Sequence, residues 1–241
     1  MALPDPRPGP GKDAALVRAM FDRVAPRYDL ANLVLSLGQD RHWRRVAVRA
    51  AEVRPGDVVA DVAAGTGALA EELRRAGARA VALDFSFPML HTGALRERAY
   101  PPIGRGLLWC TADANRLPLP DAAVDAVTIA FGLRNLPDPA RGLAEFARVV
   151  RPAGRLVVLE FSTPTWPPLR RLYERYLTQA LPLVARAVAS DPAAYRYLVD
   201  SIRAWPDQAG LARMIVAAGW RGVQWKRLSG GIVTVHRATR G

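Results

Sequence analysis

The sequence predicts a doubly wound α/β fold: a mostly parallel seven-stranded sheet, closed by a C-terminal antiparallel hairpin and covered by an N-terminal helical cap. Three observations carry this. Five apolar runs alternate with helical stretches between Asp57 and Glu160, and they are apolar throughout, as expected where helices cover both faces of a parallel sheet. The stretch from Asp57 to Asp84 reads as strand, small-residue turn, helix and second strand, with carboxylates Asp61 and Asp84 at the strand tips. Two β-type runs near the end, joined by Ser229-Gly230-Gly231, read as a hairpin, which a plain dinucleotide-binding sheet lacks.

The elements follow in order. Residues 1–12 are rich in Pro and Gly and read as a disordered tail; 13–241 then form a single domain, with 13–54 as the cap. Asp13 is placed to N-cap a helix carrying Ala14, Val17, Met20 and Phe21, which Pro26 breaks. A second helix holds Leu30, Leu33, Val34 and Leu37 and ends near Gly38. A third spans 39–51 with Trp43 and Val46 inward. Strands are expected at 57–62, 79–83, 106–110, 123–130 and 155–160, with helices at 67–76, 87–98 and 139–150. Residues 163–206 break the alternation with helical, aromatic and Arg-rich sequence, in which Pro182 ends or kinks a helix. A helix over 208–218 stops at Gly219, and the strands of the hairpin lie at 223–228 and 232–236.

Charge excludes little by itself. Lys plus Arg number 34 against 22 acidic residues, a net of +12. Only Lys12 and Lys226 are lysines, and no compact basic tract forms, so nucleic acid is not an expected partner. An anionic membrane surface remains a candidate partner. The lone Cys110 sits in an apolar run and is expected to be a small buried hydrophobe. No secretory signal is visible and no apolar run nears the roughly 20 residues that span a bilayer, so the expected location is cytoplasmic, at most peripheral at the inner face of the cell membrane. No cluster has metal-ligand spacing, so no metal is expected.

The turn Gly65-Thr66-Gly67-Ala68-Leu69-Ala70 matches G-x-G-x-x-G/A, a pattern that also fits a ligand-free strand-to-helix turn. With Asp84 positioned for ribose hydroxyls, a nucleoside-bearing ligand is the better reading. Asp61 chooses between ligands: a carboxylate four residues before the first glycine would repel a pyrophosphate on the helix N-terminus. It suits the cationic S-adenosylmethionine instead of NAD.

Four stretches carry a resemblance. They are Met20-Phe21-Asp22-Arg23-Val24-Ala25-Pro26-Arg27-Tyr28-Asp29 continuing through Leu35 to Gln39 and Trp43-Arg44; the turn at Gly65-Thr66-Gly67; Phe131-Gly132-Leu133-Arg134-Asn135-Leu136; and Tyr195-Arg196-Tyr197-Leu198 through Trp205-Pro206-Asp207-Gln208 to Gly230-Gly231-Ile232-Val233 and His236-Arg237. The chain thereby resembles a Rossmann-like class I S-adenosylmethionine-dependent methyltransferase, and more closely the demethylmenaquinone methyltransferase family, which includes the ubiquinone-pathway benzoquinol C-methylases. The resemblance implies methyl transfer from S-adenosyl-L-methionine to a ring carbon of a polyprenylated demethylmenaquinol in menaquinone biosynthesis. Alternatives are a polyprenyl-benzoquinol in ubiquinone biosynthesis, or a small aromatic of secondary metabolism. It leaves a homodimer open. A catalytically silent cofactor-fold module is the rival of another class; intact Gly65-Thr66-Gly67 and Asp84 argue against it.

Cofactor contacts carried over fall on Thr66, Asp84, Asp113 and Ala114, beside Asp61, Gly65 and Gly67 from the turn itself. Ala130 stands where relatives often have Ser, leaving a backbone contact only, and Ala68 where they often have Asp. The loop 131–136 is expected to hold the quinol. Arg134 would lower a hydroxyl's pKa or position a deprotonating water, and Asn135 would orient it. Asp22 and Tyr28 would act at the pocket's cap; helix capping and packing are the plain alternatives for them and for Asp29, as for His42, Tyr195 and Tyr197. The insertion 163–206 faces the substrate, and its Leu- and Arg-rich segment 169–188 suits an interfacial lid as well as it suits an amphipathic helix on the sheet.

Overall fold

A computed structural model describes residues 13–25, 28–99, 106–180 and 192–241. Pro26, Pro182 and the tail 1–12 lie outside the described residues, as does part of the insertion. The cap consists of α1 (Ala14–Val24), α2 (Tyr28–Leu35) and α3 (Gln39–Ala50). The Asp13 side chain accepts from the Ala15 and Leu16 amides, which caps α1. There follow β1 (Val58–Val62), α4 (Ala68–Arg75), β2 (Arg79–Asp84), α5 (Phe87–Ala99), β3 (Leu108–Thr111), β4 (Val124–Ala130), a single 3-10 turn (Leu133–Asn135), α6 (Pro139–Val149) and β5 (Val150–Phe161). The insertion contributes α7 (Pro167–Arg175), which continues as a π turn (Tyr176–Ala180), and α8 (Pro192–Ala204). The chain closes with α9 (Gln208–Ala217), β6 (Trp220–Leu228) and β7 (Val233–Arg240).

The sheet has seven strands in the order β3-β2-β1-β4-β5-β7-β6. The first five are parallel; β7 enters between β5 and β6 and runs antiparallel to both. Only β7 is therefore reversed, and β6 rejoins the common direction. Gly230 and Gly231 both take positive φ in the β6–β7 connection, which favours glycine there.

Strand starts differ most from expectation. β5 begins at Val150, because 151–154 form an irregularity in the ladder with Ala153 at φ 59°. The expected strand begins only at Arg155, after Pro152 and Gly154. β6 likewise begins at Trp220, across a bulge around Gly222 at φ 62°. β3 is an edge strand, so Cys110 is half-buried, not the buried hydrophobe expected.

Both sheet faces are covered. On one, α3 and α4 pack Ala47, Leu69 and Leu73 onto Val59, Ala82 and Val157. On the other, α6 and α9 pack Leu143, Phe146, Leu211 and Ile215 onto Val127, Leu156 and Val158. Trp220 is buried there and its indole N–H donates to the Leu143 carbonyl at 3.0 Å. α1 meets α8 through Val17, Met20 and Tyr197. The cap and the insertion thus close over the carboxyl ends of the parallel strands, the position where open α/β sheets bind ligands. Among the described residues, no helix is long and apolar enough to cross a membrane, and no cluster could hold a metal ion.

Candidate active site

A cavity of about 390 Å³ opens at the tips of β1, β2 and β4. Asp84 is its central carboxylate. Register places Asp84 beside Thr111, so the loop with Ala112, Asp113 and Ala114 forms the adjoining wall. The Gly65 amide donates to Asp84 Oδ2 at 2.8 Å and the Ser86 amide to Oδ1 at 2.8 Å. The carboxylate keeps acceptor capacity for a ligand hydroxyl beyond these amides. Burial pushes the Asp84 carboxyl up to about 6; the Ser86, Gly65 and Phe85 amides oppose this and the charge of Asp22 adds to it. Asp113 is itself held by the Asn115 amide at 2.8 Å. Gly65, Ala130 and Asn135 also line it.

Three residues expected at the ligand do not line this cavity. Asp61 is buried beneath the cavity, paired in register with Thr128, whose hydroxyl donates to it at 2.7 Å. It does not line the cavity. Thr66 is buried as well, and its hydroxyl donates to Asp29 at 2.6 Å. Arg96 bridges Asp29 and the Thr66 carbonyl at 2.6 and 2.7 Å. Asp29 is thus a latch from the cap to the turn. Gly67 takes φ 77°, and a Cβ there would stand 2.4 Å from the Trp109 ring. Its smallness is needed for this packing. Asp22 accepts from the Ser86 hydroxyl and lines neither cavity, so it ties α1 to the start of α5.

A second cavity of about 470 Å³ lies between cap and insertion, walled mainly by apolar and aromatic side chains. Phe21, Tyr28 and Phe131 line both cavities, so the two adjoin through one wall. Arg134 faces the second cavity from the 3-10 turn. It is not a surface ion pair: the guanidinium is buried, 2.9 Å from Glu160 Oε1, which is 0% exposed. It also donates to the Phe131 carbonyl at 2.6 Å and lies 5.0 Å from the centre of the Phe161 ring. Asn135 faces the first cavity; its amide donates to the same carbonyl at 3.2 Å, and it accepts from the Tyr197 hydroxyl at 3.2 Å. Burial raises the Tyr28 pKa, with Asn32 and the charges of Arg44 and Arg134 pulling it down. His42 is exposed, and His236 is buried against the Gln208 carbonyl with its pKa lowered by burial. The Tyr195 side chain is outside the described residues.

Glu160 was not singled out from sequence. The available signal was a carboxylate ending an otherwise apolar parallel strand, the same signal that marked Asp61 and Asp84.

The arrangement suits a polar, diol-bearing ligand in one cavity and an apolar ring in the next. The family model described as the ubiE/COQ5 methyltransferase family matches residues 11–240. The chain belongs to that family. Among similar proteins is a demethylmenaquinone methyltransferase of Mycobacterium sp. (strain JLS), 57% identical over 93% of this chain and 94% of that one. Another of the same description, from Mycobacterium tuberculosis (strain ATCC 25177 / H37Ra), is 54% identical over 93% of this chain and 92% of its own. A SAM-dependent methyltransferase structure from Thermotoga maritima aligns with TM-score 0.66 at 19% identity, covering 93% of this chain and 100% of that chain. The cyclase SpnF aligns with TM-score 0.65 at 16% identity over 99% of both. That likeness shows the fold alone, and a cyclase among the neighbours illustrates that the fold does not name the reaction. For a methyltransferase, two adjoining cavities meet the central requirement: donor and acceptor must be held in line and in contact.

Proposed function

We propose that this protein transfers a methyl group from S-adenosylmethionine to a ring carbon of demethylmenaquinol. The observation that carries the reading is the shared wall of Phe21, Tyr28 and Phe131, which sets an apolar, aromatic cavity against one built around Asp84. The naphthoquinol ring is favoured over a benzoquinol by the substrate named in the relatives at 57% and 54% identity.

The donor cavity fits the cofactor chemically. Asp84 has acceptor capacity left for a ribose diol; Gly65 offers backbone without a Cβ; Asp113 and Ala114 line the same cavity and would hold the adenine edge. When bound, S-adenosylmethionine supplies an electrophilic methyl group on a sulfonium. The protein's task is to make the ring carbon nucleophilic and to aim it. A quinol ring carbon gains charge when the adjacent hydroxyl loses its proton. Tyr28, on the shared wall, and Arg134, at the second cavity, can hydrogen-bond that oxygen and favour its anion. Phe131 and Phe161 give this cavity apolar walls, against which charge dispersal between an anionic ring and a cationic donor would be felt at low dielectric. Incubation with methyl-labelled S-adenosylmethionine and chemically reduced quinols tests this: label on the ring carbon of a naphthoquinol supports it, while label on a benzoquinol alone, or on neither, overturns it.

A polyprenyl tail requires contact with the bilayer. Leu37 and Leu172 line the second cavity yet are 81% and 64% exposed, and Trp166 nearby in sequence is 64% exposed. Arg170, Arg171 and Arg175 are exposed on the same helix as Leu172. Apolar side chains at a cavity mouth with cations beside them suit an anionic membrane surface. The protein would then work at the cytoplasmic face of the membrane. It is expected to sediment with vesicles containing about one-third anionic lipid and not with zwitterionic ones, and Leu37→Asp with Leu172→Asp is expected to abolish sedimentation. Equal sedimentation of wild type and double variant would remove this surface from consideration.

A further inference from the structure

The second cavity holds another charged pair that the proposed chemistry leaves unused. Asp40 and Arg44 lie one turn apart near the start of α3, and both border the cavity. Their side chains are only 10% and 12% exposed. The Arg44 guanidinium donates to Asp40 Oδ2, and the Ser36 hydroxyl donates to Oδ1 at 3.0 Å.

Helix stability does not account for this placement. An acidic residue in a first turn favours the helix dipole, and an i,i+4 pair adds a little, but both effects are available on a solvated face. Against a mainly apolar cavity the same pair carries a desolvation cost that well-packed hydrophobes would avoid. A polar group of a bound ligand would offset that cost. Each carboxylate oxygen of Asp40 still has a lone pair beyond its present partner. The charges of Arg44 and Arg134 both act on the Tyr28 hydroxyl, so two guanidinium–carboxylate pairs flank the wall between the cavities, one from α3 and one from the turn after β4. A quinol carries two oxygens at opposite poles of its ring. Arg134 and the Asp40–Arg44 pair border the same cavity, so a ring held there would have a charged group available to each of its oxygens.

We propose that Asp40 reads the redox state of the ring: its carboxylate accepts a hydrogen bond from the distal hydroxyl of the quinol and thereby excludes the quinone. The inference rests on the function proposed above and deepens it. A quinone presents only carbonyl lone pairs at that point, and a carboxylate can donate nothing to them. The buried acceptors would face each other unpaired, a mismatch that discriminates far more sharply than a change of shape. Arg44 and Ser36 fix the carboxylate's orientation. The benefit is specific to this chemistry: only the reduced ring is nucleophilic, and a site that admitted the oxidised ring would be blocked by a substrate it cannot methylate.

The test compares binding of a short-chain demethylnaphthoquinone, oxidised in air and reduced under anaerobic conditions, in the presence of S-adenosylhomocysteine to prevent turnover. Wild type is expected to bind the quinol at least about tenfold more tightly than the quinone. Asp40→Asn presents an amide N–H that can donate to a carbonyl, so the preference is expected to fall to about one or invert. The double variant D40L/R44M removes both charges at similar volume and keeps the test alive should the single variant not fold. It is also expected to lose the preference, with S-adenosylhomocysteine binding in the first cavity unchanged as the sign of an intact fold. A wild-type preference near one, or a preference that survives in both variants, overturns the proposal. Wild type that binds S-adenosylhomocysteine but neither ring form overturns the quinol reading itself, and this inference with it.

Discussion

Arg134→Met is expected to destabilise the protein by about 3–5 kcal/mol, in addition to abolishing turnover. The stability effect follows from Glu160, which is 0% exposed and 2.9 Å from the guanidinium. Without Arg134 a carboxylate would remain in the apolar interior with only the Phe161 and Arg134-position amides as partners. Removing one member of a buried pair costs far more than the pair contributes when intact. A second variant separates this from chemistry. Combining Arg134→Met with Glu160→Gln removes the stranded charge and keeps an acceptor for the backbone, so most of the stability is expected to return. Turnover is expected to stay down by about 10²-fold or more, the usual range for a lost proton-transfer or oxyanion group. Urea unfolding and methyl transfer at saturating cofactor read the two quantities independently. A single variant within about 0.5 kcal/mol of wild type would contradict the buried pair, and a double variant of full activity would show Arg134 to be structural alone.

The legibility of this chain follows a simple division. Apolar runs flanked by Gly, Pro and Asp located every strand, because a strand covered on both sides has no freedom to be polar. Asp13 could be named as a cap because capping involves neighbours two and three residues away. What sequence position could not convey was the direction of a side chain at a strand tip. Asp61 and Asp84 have the same local setting, yet Asp84 borders the cavity and Asp61 lies beneath it against Thr128, 67 positions along the chain. Thr66 and Gly67 sit in a turn whose glycine pattern suggests ligand contact; their actual partners, Asp29 and Trp109, come from α2 and β3. The pairs at the second cavity show both cases. Asp40 with Arg44 is local and was within reach of helix spacing, whereas Arg134 with Glu160 joins two strand ends and exists only once β4 and β5 are adjacent. Bulges were the other blind spot: the ladder irregularities at 151–154 and around Gly222 leave no mark on the hydrophobic pattern.

The position of Asp61 has a thermodynamic consequence large enough to measure. Burial pushes its carboxyl up to about 7 from its ordinary 3.8, against the pull of the Thr128 hydroxyl, the Ala70 amide and Arg44, with Asp84 pushing further upward. The folded state therefore holds a proton that the unfolded chain has already released. Between about pH 4 and pH 7 unfolding loses that proton, so stability falls as pH rises through this window and levels off above it. About three pH units at 1.36 kcal/mol each amount to roughly 4 kcal/mol between the two ends. Asp84, pushed up to about 6, acts in the same direction, so the wild-type profile alone does not isolate Asp61. The difference from Asp61→Asn does. That variant cannot ionise, and its stability relative to wild type is expected to climb with pH from 4 to 7 by a few kcal/mol and then stay constant. Its level at pH 4 will report the separate cost of exchanging an acid for an amide beside Thr128. Saturating S-adenosylmethionine is expected to move the wild-type breakpoint downward, since a cation close above a buried carboxyl favours its charged form. Chemical denaturation of both proteins at half-unit steps of pH, with and without cofactor, measures all of this. A difference curve that is flat from pH 4 to 7 would mean that Asp61 is ionised throughout, and the carboxylate would then need a buried cationic partner that the present packing does not place beside it.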